Sequence, residues 1–299
     1  MLIKFFSIMV SILVLLHCQG KPFRLITGTP GGTYEKIGHS IKINVKLKMQ
    51  LLPSKGSVEN LQRLQQKKAD FALCQFDVYS TSVIQNPELQ KEVKVILPLY
   101  YEEMHLIVDK KFENFKELNG FKIAIGGSGS GTAVTANTVL EAAGVHIKPQ
   151  NIDSTAAKKL LISGQLEGFF IMTGSPSDML QDSNLGNVGK LLSLNSKTLK
   201  KLQTIQYYKA STIRKNTYTW QNEDIHTVAS DVVLLARAEV PDRTISYIFH
   251  KIGQKKSLLI QEHQKWAQLD LAHARKIMSE KPEWFHPAMK ELLLDESSH

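Results

Sequence analysis

The chain has 299 residues, 42% of them hydrophobic and 22% charged, with a formal net charge of +9 and two cysteines. That apolar content excludes a disordered polymer and suffices for one large α/β unit or two ordinary domains. Two cysteines exclude a disulfide scaffold and a Cys-rich metal or iron–sulfur framework, and basic residues scattered singly or in pairs such as Lys67-Lys68 and Lys158-Lys159 describe a solvated surface rather than a nucleic-acid stripe.

Residues 1–20 have the layout of a secretory signal: Lys4, an apolar run from Phe5 to Leu16, then His17-Cys18-Gln19-Gly20. That twelve-residue run would span roughly 18 Å as a helix, short of a bilayer core of about 30 Å. Cleavage after Gly20 would leave a soluble chain starting at Lys21. Leu15-Leu16-His17-Cys18 also resembles a degraded lipobox, which would make Cys18 a lipid-carrying N-terminus. Both routes place the mature protein outside the cytoplasmic membrane, with a periplasmic location expected. Cys74, in Phe71-Ala72-Leu73-Cys74, is then expected to be a small buried hydrophobe.

Pro22 to Gly28 reads as a first strand running into Gly28-Thr29-Pro30-Gly31-Gly32-Thr33-Tyr34, a glycine-rich turn. The turn opens a helix with Ile37, Ile41 and Val45 on one face. Met49 to Pro53 predicts a second strand, Ser54 to Ser57 a helix cap, and Ala69 to Gln75 a third strand with a helix beyond it. Val93–Leu97 and Met104–Val108 predict two further strands, with Glu102-Glu103 in an exposed turn at an interlobe crossover. The pattern then restarts: strand Lys122–Ile125, glycine-rich turn Gly126 to Thr132, helix Ala133–Ala143, helix Lys158–Leu166 and strand Glu167–Met172. Val228–Ala236 reads as an apolar strand. The charged tail from Ser246 to Leu294 reads as helical, with Leu258, Leu259, Trp266, Leu269 and Leu271 packing and His263 and His273 solvated.

Alternating strands and helices predict a parallel sheet covered on both faces. Two runs that each open with strand, glycine-rich turn and helix predict an α/β fold of two lobes, periplasmic-binding-protein-like, with a ligand cleft between them. The expected boundaries are a signal at 1–20, lobe 1 at 21–106 plus about 225–299, and lobe 2 at 107–224. A glycine-rich turn at a helix N-terminus offers unpaired N–H groups and a positive dipole end, so the two turns can cradle an anion. Neither turn has the Gly-Lys-Ser/Thr ending of a P-loop, and Gly127-Ser128-Gly129-Ser130-Gly131 misses dinucleotide-fingerprint spacing by one residue. No G-x-S-x-G elbow, H-E-x-x-H pair or metal-spaced Cys/His cluster is present. No enzyme, catalytic residue, metal or cofactor is therefore expected; Glu223 and Asp224 could meet calcium only with neighbouring carbonyls.

Several blocks together resemble the TAXI family of extracytoplasmic solute receptors for TRAP transporters. They are Ile26 to Tyr34; Gly56 to Leu61 with Ala69 to Gln75; Gly126 to Thr132; Gly168-Phe169-Phe170 leading to Gly174-Ser175-Pro176; and, more loosely, Asn216 to Val228. The resemblance implies a monomeric receptor that captures a small organic anion, a glutamate-like amino acid or carboxylate, and hands it to TRAP transporter membrane subunits. By position it implies ligand-binding roles for Thr33, Tyr34, Ser57, Gln75, Ser128, Ser130, Gly131, Thr132, Gly174 and Pro176. Tyr34 would pack on the ligand body, and Gln75 would donate to a carboxylate while accepting from an ammonium. Thr29-Pro30, Phe76 and Trp220 depart from the small residues usual in the family and place a proline and two aromatics near the expected cleft. The alternatives are an α/β enzyme acting on a small carboxylate and a surface lipoprotein without a transport role.

Overall fold

The computed structural model describes residues 21–205 and 207–294; the expected signal segment and Cys18 lie outside them. Among the described residues, ten strands join in one sheet. They are β1 (Phe23–Ile26), β2 (Met49–Leu52), β3 (Phe71–Gln75), β4 (Val93–Asp109), β5 (Lys122–Ala124), β6 (Lys148–Gln150), β7 (Gly168–Thr173), β8 (Gly189–Leu191), β9 (Lys209–Ile213) and β10 (Ile225–Arg237). The order is β2-β1-β3-β10-β4-β7-β5-β6, with β8 on β4 and β9 on β10. Pairing is parallel only toward the two ends, in β2-β1-β3 and β7-β5-β6. The middle is antiparallel, because β4 and β10 run together through both halves of the molecule. The expected all-parallel sheet is corrected to that extent.

The two strands expected at Val93–Leu97 and Met104–Val108 are one strand of 17 residues. A glutamate pair between Tyr101 and Met104 looks like an interlobe turn in sequence. Here Pro98 lies beside a register shift of the β4–β10 ladder, where a missing N–H is tolerated. Glu102 and Glu103 are not exposed but buried, 4% and 6% accessible.

Hydrophobic packing divides about these long strands. One core joins Leu25, Ile37, Ile41, Leu61 and Phe71 to Val233, Ile248, Phe249 and Trp266, so the C-terminal helices pack with the N-terminal strands. The opposite half is packed around Met104, Ile123, Val139 and Phe170 on one side of the sheet and Phe169, Leu161, Leu185 and Tyr218 on the other. The helix Thr33–Val45 buries Ile37, Ile41 and Val45 at four-residue spacing, the apolar face that its sequence encodes. In the tail Leu259, Trp266 and Leu269 are buried, whereas Leu258 is exposed. Cys74 is fully buried, and desolvation pushes its thiol well above the ordinary cysteine range.

The two aromatics expected near a cleft belong to cores instead. Phe76 packs against Tyr79 and Trp284. Trp220 stacks on Tyr218 at 5.6 Å between ring centroids and donates its Nε1–H to the Leu180 carbonyl at 2.7 Å. Substitution of a small residue by a large apolar one raised an expectation of ligand contact, but burial in a core satisfies an aromatic ring at least as well.

Candidate ligand cleft

A cavity of about 760 Å³ lies between the two halves and is lined by both glycine-rich turns. Thr33, Tyr34, Ser57, Gln75, Ser128, Ser130, Gly131, Thr132 and Pro176 all line it. Gly174 does not; it packs on Lys265, where an added Cβ would meet Lys265 Cε at 2.6 Å. A second cavity, about 880 Å³, lies among the C-terminal helices against Leu97, Phe249 and Leu271 and contains neither turn.

The halves meet tightly beside the cleft. The Glu59 N–H donates to the Gly129 carbonyl at 3.1 Å, and Lys36 Nζ reaches Asp178 Oδ2 at 2.6 Å across the mouth. Gly126, at φ +101°, holds a conformation that L side chains rarely adopt, which turns the chain from β5 toward the helix Thr132–Ala143. Gly131 is required for a different reason. A Cβ there would lie 1.9 Å from Gln75 Oε1. In this conformation the second turn is pressed directly onto the end of β3.

Each turn uses part of its own hydrogen-bonding capacity. In the first, Gly31 N–H donates to the Glu35 carboxylate at 2.6 Å and Gly32 N–H to the Thr29 carbonyl at 3.0 Å. The expected anion cradle therefore narrows to the amides that begin the helix. In the second, Thr132 Oγ1 accepts from the Met172 N–H at 3.2 Å, which fixes the turn to β7. Ser130 Oγ is buried and has no hydrogen-bond partner, a donor left unsatisfied inside the cleft wall.

The inner wall is set by Tyr34, Ser57 and Gln75. Ser57 Oγ accepts from the Gln75 backbone N–H at 3.0 Å and shares a 3.0 Å hydrogen bond with the Tyr34 hydroxyl. Gln75 Nε2 donates to Asp77 Oδ1 and Thr135 Oγ1, both at 3.2 Å. Both amide hydrogens are thus engaged away from any ligand. The expectation that Gln75 donates to a carboxylate is corrected: Oε1, an acceptor, is the end left uncommitted.

Two residues of the cleft were read from the sequence as something else. Glu102 lines the cavity although it is only 4% accessible. Among the described residues it makes no ion pair, since the nearby Lys265 is bound to Glu103 at 3.3 Å. Burial, reinforced by Glu103 and Asp77 and opposed by Lys265 and Tyr34, pushes its carboxyl up to about 8. The acid is then mostly neutral at pH 7. His263 also lines the cleft, half-buried rather than solvated, and burial beside Lys36 and Lys265 lowers its pKa. His273 bonds Asp231 Oδ2 at 2.8 Å outside the cleft. The strand pairing of β4 with β10 is what brings Glu102 inward, and no local motif marks it. Asp224, the candidate for calcium, accepts from Arg214 and the Lys215 N–H.

Solved structures share this architecture. The chain matches the periplasmic sulfonate-binding protein SsuA of a putative sulfonate ABC transporter from Methylobacillus flagellatus KT at 16% identity and TM-score 0.52, over 93% of this chain and 96% of that one. It matches a Bordetella bronchiseptica RB50 protein at 14% identity and TM-score 0.55, over 90% and 84% respectively. The GluR0 ligand-binding core from Nostoc punctiforme, in complex with L-glutamate, matches at 13% identity and TM-score 0.51, over 82% and 99%. These likenesses establish a two-lobed periplasmic-binding-protein fold. The model of the NMT1-like family matches residues 25–290, nearly the whole described chain, and the protein belongs to that family.

Proposed function

We propose that the protein is an exported, periplasmic solute-binding receptor for a small organic anion, a glutamate-like amino acid or carboxylate. The observation that carries this reading is the 760 Å³ cavity closed by both glycine-rich turns, with the buried Ser130 hydroxyl left without a partner. The amides that open the helices Thr33–Val45 and Thr132–Ala143, with the hydroxyls of Thr33, Ser128 and Ser130, would take the carboxylate. Lobe 1 would comprise residues 21–106 and about 225–299, lobe 2 residues 107–224, and ligand would hold them together. Delivery to the membrane subunits of a TRAP-type secondary transporter, by a monomer free or anchored through Cys18, completes the proposal and rests on the sequence resemblance.

Calorimetry tests the binding step. The chain from Lys21 onward is unfolded and refolded to strip carried-over ligand, then titrated with L-glutamate, L-glutamine, pyroglutamate and C4–C6 dicarboxylates. One-to-one binding at micromolar concentration or tighter is expected for at least one of them. Gln75→Ala should weaken it by about 1–2 kcal/mol, because its acceptor is lost and Asp77 and Thr135 lose a partner. Unchanged affinity in that variant would remove Gln75 from the site.

A further inference from the structure

The cleft has two chemically different walls. The glycine-rich turns present N–H and hydroxyl donors, suited to an anion. On the inner wall, against the second turn, Gln75 has committed both amide hydrogens to Asp77 and Thr135 and offers only Oε1. Glu102 projects into the same cavity from β4, is 4% accessible, and has no cation of its own. A carboxyl group in such a place, with Lys265 bound to Glu103 and only the Tyr34 hydroxyl as a side-chain partner, is incompletely compensated for its burial.

We propose that Glu102 is the specificity-determining residue of the cleft and forms a subsite for a protonated amine of the ligand, so that the solute carries both a carboxylate and a cationic nitrogen. This rests on the solute-binding reading and narrows it: a dicarboxylate without nitrogen would set a second anion against Glu102. The two walls then read the two ends of one zwitterionic molecule.

The proposal has a proton signature. With its carboxyl pushed up to about 8 by burial, Glu102 is mainly protonated at pH 7.0. An ammonium ion placed against it favours the carboxylate, so Glu102 loses its proton to solvent as the ion pair forms and no other bond changes. The ionisable groups facing Glu102 are Tyr34, Tyr100, Cys74, Asp77, Glu103 and Lys265. Burial holds the tyrosines and the thiol neutral, and Lys265 is paired with Glu103. A ligand carboxylate at Glu102 would instead take a hydrogen bond from the neutral acid and release no proton.

The experiment compares matched probes by calorimetry at pH 7.0 in buffers of different ionisation enthalpy. The pairs are L-glutamate with glutarate, L-leucine with 4-methylvalerate, and γ-aminobutyrate with butyrate. The wild-type protein should prefer the amine-bearing member of at least one pair about tenfold or more and release close to one proton per amine bound. Glu102→Gln, which keeps size and shape, should abolish the release and reduce the preference to about threefold or less while retaining the amine-free member. Equal or tighter wild-type binding of the amine-free members, amine binding without proton release, or a preference that survives in Glu102→Gln would overturn the proposal. The wild-type arm does not depend on the variant's folding. Failure of every probe to bind folded wild-type protein would instead reject the carboxylate-binding reading, and this proposal with it.

Discussion

Asp77→Ala should destabilise the protein by about 3–5 kcal/mol, visible as a shifted urea midpoint at pH 7. Asp77 is completely buried where the two halves join. Its carboxylate accepts from Thr135 Oγ1 at 2.6 Å and the Tyr208 hydroxyl at 2.7 Å, both from the second half. Ser230 Oγ on β10 and Gln75 Nε2 on β3 supply two more donors, at 3.1 and 3.2 Å. Alanine would strand four buried donors together and leave a void. Asp77→Asn keeps one acceptor and the volume, so it should cost less.

The pH dependence separates charge from hydrogen bonding. Burial raises the Asp77 carboxyl above its ordinary value despite those donors. A carboxyl raised in the folded state contributes stability that is complete below its unfolded pKa of about 3.9 and is lost as pH rises through the folded value. Asp77→Asn should therefore flatten the decline in stability above pH 4. An undiminished decline would assign it to other groups, Glu102 first among them.

Gly131→Ala should weaken ligand binding about 100-fold, or about 3 kcal/mol. The new Cβ would fall 1.9 Å from Gln75 Oε1, 2.6 Å from Gln75 Cδ and 3.1 Å from Ser57 Cβ. Gln75 could turn aside into the cleft only by giving up its hydrogen bonds to Asp77 and Thr135. The easier response is for the second half to move away, which opens the cleft. Small-angle scattering should then show the variant remaining expanded at ligand concentrations that compact the wild type. A compact variant of normal affinity would mean that Gln75 is freer than its contacts indicate.

What was legible in the sequence follows the range of the interactions involved. The stripe Ile37, Ile41, Val45 and the glycine-rich turns are local patterns, and their elements form where periodicity and turn chemistry place them. Nine of the ten residues implied to bind ligand line one cavity, because they sit at the strand ends and helix starts that such motifs mark. Glu102 was missed because its position depends on pairing with Ser230, 128 residues further along the chain. A charged glutamate pair where two lobes are expected to cross resembles an exposed turn, and only long-range pairing makes it the middle of a buried strand. Phe76 and Trp220 failed in the opposite sense: a departure from a family pattern does not say which way a side chain points, and both point into cores.

The central claim is that one ligand is held by both glycine-rich turns at once. Hydrogen exchange measured with and without the panel member that gives saturable heat tests it most directly. Two separated stretches, residues 32–36 and 128–134, should gain protection together and at the same ligand concentration, with Glu102 and its neighbours on β4 following. Protection confined to one turn, or appearing instead around Phe249 and Leu271 by the second cavity, would contradict a cleft that binds its solute between two lobes.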